Sequence, residues 1–133
     1  MSRVAPTKQA LNQCIRSDIP GGDYLLDLLA YLHVQRRDKT YTDECKNFLK
    51  FMYNRLTSIR ARMRESVLAR QNGIVVDPIP SCKAIADEVI KDLRCRLKDS
   101  RYCKRKKLKH DHVNACKDFR DRFLAFLAAI DGE

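Results

Sequence analysis

The sequence predicts an all-α fold, a compact and disulfide-stabilised bundle of about four to five helices around one long central helix. Apolar residues recur at steps of three and four along most of the chain, and no segment alternates with a period of two. Only four Gly and four Pro occur, which argues against disorder. One helical domain is expected over 1–133, with a less regular amino-terminal segment at 1–22 and a helical core at 23–130.

The first helix break lies at Pro20, Gly21 and Gly22, which end any helix that runs through the preceding residues. Asp23 is expected to cap a helix over 23–36, which then ends in a charged turn. Its broad apolar face consists of leucines: Leu25, Leu26, Leu28, Leu29 and Leu32.

The longest predicted element covers 42–70, a stretch without Pro or Gly. At 1.5 Å per residue this helix would be roughly 43 Å long. One face of it is apolar at helical spacing: Cys45, Phe48, Leu49, Met52, Leu56, Ile59, Met63 and Val67.

Asn72 and Gly73 stop the long helix, and an extended connection over 74–80 follows because residues before Pro avoid helical geometry. Ser81 is expected to cap a helix over 81–97, and a last helix is predicted over 111–130. The faces of these helices predict one shared core: Phe48, Met52, Leu56, Ile59, Ile85, Val89, Leu93, Phe119 and Phe123.

Basic residues flank the apolar face of the long helix. Between residues 46 and 70, only Glu65 interrupts seven Lys and Arg, so the exposed surface of the helix is expected to be basic along its length. Any single charged residue on a helix is ordinarily only solvated. The excess of Lys and Arg over acidic residues in this stretch is what favours binding. The predicted partner-binding residues are Lys46, Lys50, Arg60 and Arg64 on one shoulder, with Arg55 and Arg62 on the other.

A second basic cluster extends from Arg94 to Lys109, with nine cations in sixteen residues. It adds five predicted partner-binding residues: Arg101, Lys104, Arg105, Lys106 and Lys107. Such a run is often a nucleic-acid patch. Nucleic acid is disfavoured here because the sequence has no base-reading motif and because Cys95 and Cys103 tie this segment to the expected disulfide framework.

The formal charge of +10 on 133 residues indicates an acidic partner: nucleic acid, an anionic membrane or an acidic glycoprotein. No apolar run is long enough to cross a bilayer, and the amino terminus lacks a signal-peptide apolar region. Secretion is nevertheless expected from the cysteines, in which case the chain is a mature form with Met1 added.

Six cysteines form an even set with no Cys-x-x-Cys pair, which favours disulfides over zinc or redox chemistry: Cys14, Cys45, Cys82, Cys95, Cys103 and Cys116. In an up-down bundle, Cys45 would lie near Cys95 and Cys103, and Cys82 near Cys14. Fifteen connectivities are formally allowed, so this geometry narrows the pairing without settling it.

Catalytic motifs are missing from the sequence, which has no Gly-rich phosphate loop, nucleophile elbow or paired carboxylates. His33 falls in a leucine-rich helix, where a histidine more often has a structural role than a catalytic one. Cys103, His110, His112 and Cys116 do not have the spacing of a compact zinc site. No enzyme, metal or cofactor is therefore expected.

Several segments follow one another in an order that resembles the sperm lysin family of marine gastropods: "LLAYLHVQRR", "ECKNFLKFMYNRL", "IRARM", "GIVVDPIP" and "CKAIADEVIKDLRC". The resemblance covers roughly Leu25 to Leu97, about half of the chain. It implies a compact bundle of about five helices whose basic surface engages an egg-coat glycoprotein without cutting a bond. The six cysteines, the break at Pro20 to Gly22 and the absence of Trp depart from that family's pattern.

The resulting hypothesis is a secreted protein of the sperm acrosomal vesicle that binds and non-enzymatically loosens the egg vitelline envelope. The alternatives left open are a secreted cytokine-like or glycan-binding ligand and a membrane-active, fusogenic paralogue. A homodimer is also left open. Membrane activity would require an exposed apolar patch beside the cations.

Overall fold

A computed structural model describes residues 6–98 and 110–132 of the chain. All regular elements in these residues are helices, which confirms the predicted fold class: α1 (Lys8–Asp18), α2 (Gly22–Gln35), α3 (Asp43–Gln71), α4 (Ile79–Lys98) and α5 (His110–Ile130). The cluster residues Arg101 and Lys104 to Lys107 lie outside the described residues.

The central helix is α3, which packs against all four other helices. Helices α2, α3, α4 and α5 form a four-membered ring in which each packs on the next, and α1 lies against α2 and α3. One hydrophobic core fills the ring. All nine predicted core residues belong to it: eight are buried, and Ile85 is half-buried against the others. Phe119 is central to this core, stacking on Phe123 at 5.7 Å and meeting Phe48 edge-on at 6.0 Å between ring centroids.

The amino-terminal segment is more regular than expected, because it contains α1. Thr7 caps this helix by accepting a 3.1 Å hydrogen bond from the Ala10 amide. Leu11 and Ile15 are four residues apart and buried, and Ile19 is buried just after the helix ends. Burial of this short apolar stripe against α2 and α3 supplies the stability that the isolated segment would lack.

Two expected caps are wrong, one by two residues and the other by four. Helix α2 begins after Gly21, whose φ of 76° is left-handed, and Asp23 lies in the first turn and accepts from Arg16. Helix α4 begins at Ile79, whose amide donates to Asp77 Oδ1 at 3.0 Å, so Asp77 takes the role expected of Ser81. In contrast, α3 begins as predicted, with Thr42 accepting from the Cys45 amide at 3.3 Å.

The turn between α1 and α2 is packed closely against its surroundings. A Cβ on Gly22 would overlap the carbonyl of Ile15, and a Cβ on Gly21 would overlap the side chain of Ile130 at the end of α5. Glycine is therefore required at both positions by space, and at Gly21 also by its positive φ. This turn fixes the position of α1 on the bundle.

Within the described residues, the structure does not show the expected pairing of Cys82 with Cys14, because both are free thiols. Cys82 is buried and its thiol donates weakly to the Ile59 carbonyl at 3.9 Å. The side chain of Cys95 and all of Cys103 lie outside what the structure describes.

Candidate anion-binding groove

The predicted basic shoulders of α3 do not face open solvent along their whole length. Contacts of Arg64 with α1 place one shoulder beside α1 and α2, and contacts of Arg55 with α4 place the other beside α4. The outermost face of α3 between the shoulders has no Lys or Arg, and its exposed residues are these: Asp43, Asn47, Asn54, Ser58, Ala61 and Glu65. The cations of α3 differ in exposure: Lys50, Arg62 and Arg70 are exposed, whereas Lys46, Arg55, Arg60 and Arg64 are half-buried beside neighbouring elements.

The shoulder beside α4 is largely neutralised. Arg55 donates to Glu88 Oε2 at 2.7 Å, and its guanidinium carbon lies 5.1 Å from the centroid of the Phe51 ring. Arg62 pairs with Glu65 one turn along the same helix, at 3.3 Å. Both predicted binding residues thus already have carboxylate partners, which reduces the charge they offer to another molecule.

The other shoulder forms one wall of a groove between α1, α2 and α3, with a volume of about 420 Å³. We call it the α1–α2–α3 groove. Helix α2 contributes a mostly apolar wall, while α1 and α3 contribute polar and basic side chains. The residues that line it are Asn12, Arg16, Leu26, Leu29, Ala30, His33, Val34, Tyr53 and Arg60.

One end of the groove is built around Tyr53. The guanidinium carbon of Arg36 lies 4.2 Å from the centroid of the Tyr53 ring, a cation–π arrangement. Arg36 Nη2 also lies 3.1 Å from His33 Nδ1, and the His33 and Tyr53 rings are 6.2 Å apart. Arg36 has no carboxylate partner among the described residues.

The other end of the groove is lined by Arg60, and Arg64 lies one helical turn beyond it on α3. Arg64 donates to Asn12 Oδ1 at 3.1 Å, which ties α3 to α1. Burial, and then the charge of Arg60, lower the pKa of Arg64. Arg60 itself makes no hydrogen bond or ion pair with the described residues, so its charge is uncompensated.

Two guanidinium nitrogens beside this groove are buried without a partner. They are Nε of Arg36 and Nε of Arg64, and no other buried side-chain nitrogen or oxygen in the described part of the chain lacks one. A buried donor without an acceptor costs about 1–3 kcal/mol. Both unsatisfied donors therefore flank the same feature, one near each end.

Arg16 on the α1 wall differs from the other groove cations, because Asp23 and Asp27 both accept from it. The hydrogen bond that Arg16 donates to Asp23 is the main reason why the pKa of Arg16 is raised. These two acids hold Arg16 in place and cancel its charge. Arg16 is therefore a structural residue in the wall of the groove, and its charge is not available to a partner.

The two predicted lysines lie nearer the start of α3. Lys50 is exposed and has no partner among the described residues. Lys46 is half-buried, and its charge makes a minor contribution to lowering the pKa of Asp38, which is lowered mainly by hydrogen bonds from Thr40. Lys50 thus extends the basic row beyond the groove, whereas Lys46 is associated with the α2–α3 turn.

Sequence reasoning missed three polar contributors to this site: Arg36, Asn12 and His33. Arg36 was assigned to a charged turn, and Asn12 belonged to a segment without a predicted helix. A signal was present for Arg36, because it lies three residues after His33 and so on the same face of α2. No signal in the sequence places Asn12 beside Arg64.

Other polar clusters are structural. Tyr31 on α2 donates to Asp118 Oδ2 on α5 at 2.5 Å, and Arg122 lies over the Tyr31 ring at 4.2 Å. Burial is the main reason why the pKa of Tyr31 is raised. Across residues 6–98 and 110–132, no three His, Cys, Asp or Glu side chains are grouped so as to hold a metal ion.

Within the same residues, none of the helices has the length and apolar character that a membrane span requires. Comparison of the chain with protein-family models, with curated proteins and with solved structures finds no match. The resemblance to the sperm lysins therefore stays a prediction from the sequence.

Proposed function

We propose that this protein is a non-catalytic binding protein that takes an acidic partner along the α1–α2–α3 groove. The proposal rests on one observation, the uneven neutralisation of α3. Arg55 and Arg62 are paired with carboxylates on the α4 side, whereas Arg36, Arg60 and Arg64 at the groove have none among the described residues. Cations without carboxylate partners, clustered on one side of a protein with a charge of +10, favour binding of an anion there.

The rigidity of the site supports specific binding over loose charge attraction. At 4 Å, two unit charges interact by about 1 kcal/mol in bulk water and about 4 kcal/mol near a protein surface. The arginines of the groove lie on packed helices, so little conformational entropy remains to be lost when a partner binds. A partly shielded groove therefore supports stronger and more selective contacts than the same charges on a flexible tail.

The resemblance to sperm lysins supplies the setting of the proposal. In that setting the protein is released from the sperm acrosomal vesicle and its partner is an egg-coat glycoprotein of the vitelline envelope. The cations compete for the acidic contacts that hold envelope filaments together. The envelope then loosens in proportion to the protein bound, and no covalent bond is cleaved.

A paired charge reversal tests this proposal. Lys50→Glu with Arg60→Glu changes two exposed or half-exposed groove-side cations without touching the core stripe. Lys91→Glu with Lys117→Glu is the matched control, since both lysines are exposed on α4 and α5 and the net charge changes equally. Binding to isolated envelopes is measured by co-sedimentation, and helix content by circular dichroism.

The groove variant is expected to lose envelope binding at least tenfold, with the control close to the unchanged protein. The dissolved envelope should scale with protein added and show intact glycoprotein chains on a denaturing gel. Equal losses of envelope binding in both variants would mean that net charge alone explains the binding. Dissolution by trace protein, with shortened glycoprotein chains, would instead mean catalysis.

One observation favours a second candidate, a membrane-active function. The α3–α4 loop exposes three consecutive apolar residues, Ile74, Val75 and Val76, with Val75 86% exposed. The loop is held at both ends, because the Ile74 amide donates to the Ala69 carbonyl at 2.9 Å and Ser66 donates to the Val76 carbonyl at 2.6 Å. A rigid apolar tip on a basic protein is suited to shallow insertion into an anionic bilayer.

Dye release from vesicles of mixed neutral and anionic lipid tests the membrane candidate. Val75→Asp should abolish the release if the loop inserts, while leaving envelope binding unchanged. Absence of release by the unchanged protein at any lipid composition would remove this candidate. Binding to heparin alone, with neither envelope nor vesicles, would favour the glycan-binding ligand.

A further inference from the structure

We infer that the α1–α2–α3 groove recognises one amphipathic acidic helix, with two carboxylates about 16 Å apart on either side of aliphatic side chains. This inference rests on the proposed function and names the chemistry of the partner at the same site. It follows from the placement of the arginines, from their unsatisfied donors and from the apolar α2 wall.

The spacing of the two ends sets the spacing of the carboxylates. Tyr53, which carries Arg36 on its ring, and Arg64 are eleven residues apart on α3. Eleven residues of helix span about 16 Å. A partner helix that lies along the groove presents the same face again after three turns, about eleven residues, so acids eleven positions apart would meet Arg36 and Arg64 at once.

The buried Nε atoms explain why carboxylates fit these ends. In the unbound protein, a terminal nitrogen of Arg36 contacts His33 and a terminal nitrogen of Arg64 donates to Asn12. The Nε atom of each arginine is buried without an acceptor. A carboxylate has two oxygens that accept from Nε and a terminal nitrogen in parallel. Rotation of either arginine toward such a group satisfies the donor that the unbound protein leaves unpaired.

The α2 wall favours a peptide over a sulfated glycan. Val34 is 64% exposed beside Ala30, and the wall continues into Leu26 and Leu29. These side chains have no polar atoms, so sugar hydroxyls placed against them would lose their hydrogen bonds to water. Aliphatic side chains three and four positions after an acid in the partner helix would bury area there instead.

The test uses an alanine-rich helical peptide with two glutamates eleven positions apart and with leucines at the third, fourth and seventh positions after the first glutamate. A glutamine version of the peptide and a heparin fragment are the comparison probes. Affinity is measured by fluorescence anisotropy, and the Nε–H signals of Arg36 and Arg64 are followed by NMR of ¹⁵N-labelled protein.

We expect the glutamate peptide to bind at least tenfold more tightly than the glutamine peptide and to shift both Nε–H signals. Val34→Asn should weaken peptide binding at least threefold without affecting heparin binding, and Leu124→Asn, at an exposed leucine of α5, is the matched control. Both positions are solvent-exposed, so neither variant removes core packing.

Binding of heparin with shifts of both Nε–H signals, and no binding of the peptide, would overturn the inference and leave the proposed function standing. Failure of every acidic probe to shift these signals would overturn both. Unchanged peptide affinity in the Val34→Asn protein would also overturn the inference, because it would remove the α2 wall from recognition.

Discussion

Replacing Gly21 with alanine should lower the free energy of unfolding by about 3 kcal/mol, because two penalties coincide at this residue. Its φ of 76° is left-handed, which costs a residue with a Cβ about 1–2 kcal/mol. The added methyl group would also overlap the Ile130 side chain and lie 3.2 Å from the Ile130 amide nitrogen. Overpacking of this kind typically costs a further 1–3 kcal/mol, roughly.

Two control variants separate the penalties in urea titrations followed by circular dichroism. Gly73 has nearly the same φ, 78°, with nothing within 4 Å of an added Cβ, so Gly73→Ala should cost only the backbone part, about 1–2 kcal/mol. Ile130→Ala removes the overlapping atoms, so Gly21→Ala made in that background should also cost only about 1–2 kcal/mol.

A loss below about half a kcal/mol for Gly21→Ala would refute the packing described for the α1–α2 turn. So would an equal loss with and without Ile130. The turn sets the position of α1, and α1 supplies one wall of the groove. Gly21→Ala should therefore weaken partner binding as well, whereas Gly73→Ala should not.

Leu56→Ala should lower the free energy of unfolding by about 2–5 kcal/mol, and Val89→Ala should also be clearly destabilising, because both side chains are buried in the shared core; losses below half a kcal/mol at both would mean that the faces are assigned wrongly. Intact mass after alkylation of the denatured, unreduced protein should show at least two labels, on Cys14 and Cys82; no label at all would mean that every cysteine is oxidised. Burial raises the pKa of the Cys82 thiol to about 11 from an ordinary value of 9.0. The unfolded thiol ionises first as pH rises, so stability from this group is complete below pH 9 and is lost between about 9 and 11; Cys82→Ala should remove that part of the alkaline loss in pH-dependent urea titrations.

The helices could be predicted from sequence because the dominant signal is periodic burial. Phe48, Met52 and Leu56 repeat at steps of four on α3, and all three are buried. A stripe of this kind determines which face of a helix is inside, whatever the neighbouring helices are.

The helix starts were harder to predict, because several residues near each start have side chains suited to capping. Asp77 and Ser81 are both of this type, and the sequence alone does not indicate that α4 begins early enough to include Pro80 in its first turn. Helix α1 was missed for a different reason. Its stripe is short, and its stability depends on packing against α2 and α3, which no local pattern reveals.

The candidate site shows where a sequence pattern reaches its limit. Periodicity gives the angle of a cation around α3, and on that basis one shoulder has four of the predicted binding cations and the other has two. Periodicity does not show which cations are already paired, and packing decides this: α4 brings Glu88 to Arg55, while α1 brings the amide of Asn12 to Arg64. An amide leaves the guanidinium charge uncancelled, and a carboxylate does not. The binding side of α3 is therefore selected by the identity of the neighbouring helix, which makes α1 the element on which the proposed function depends.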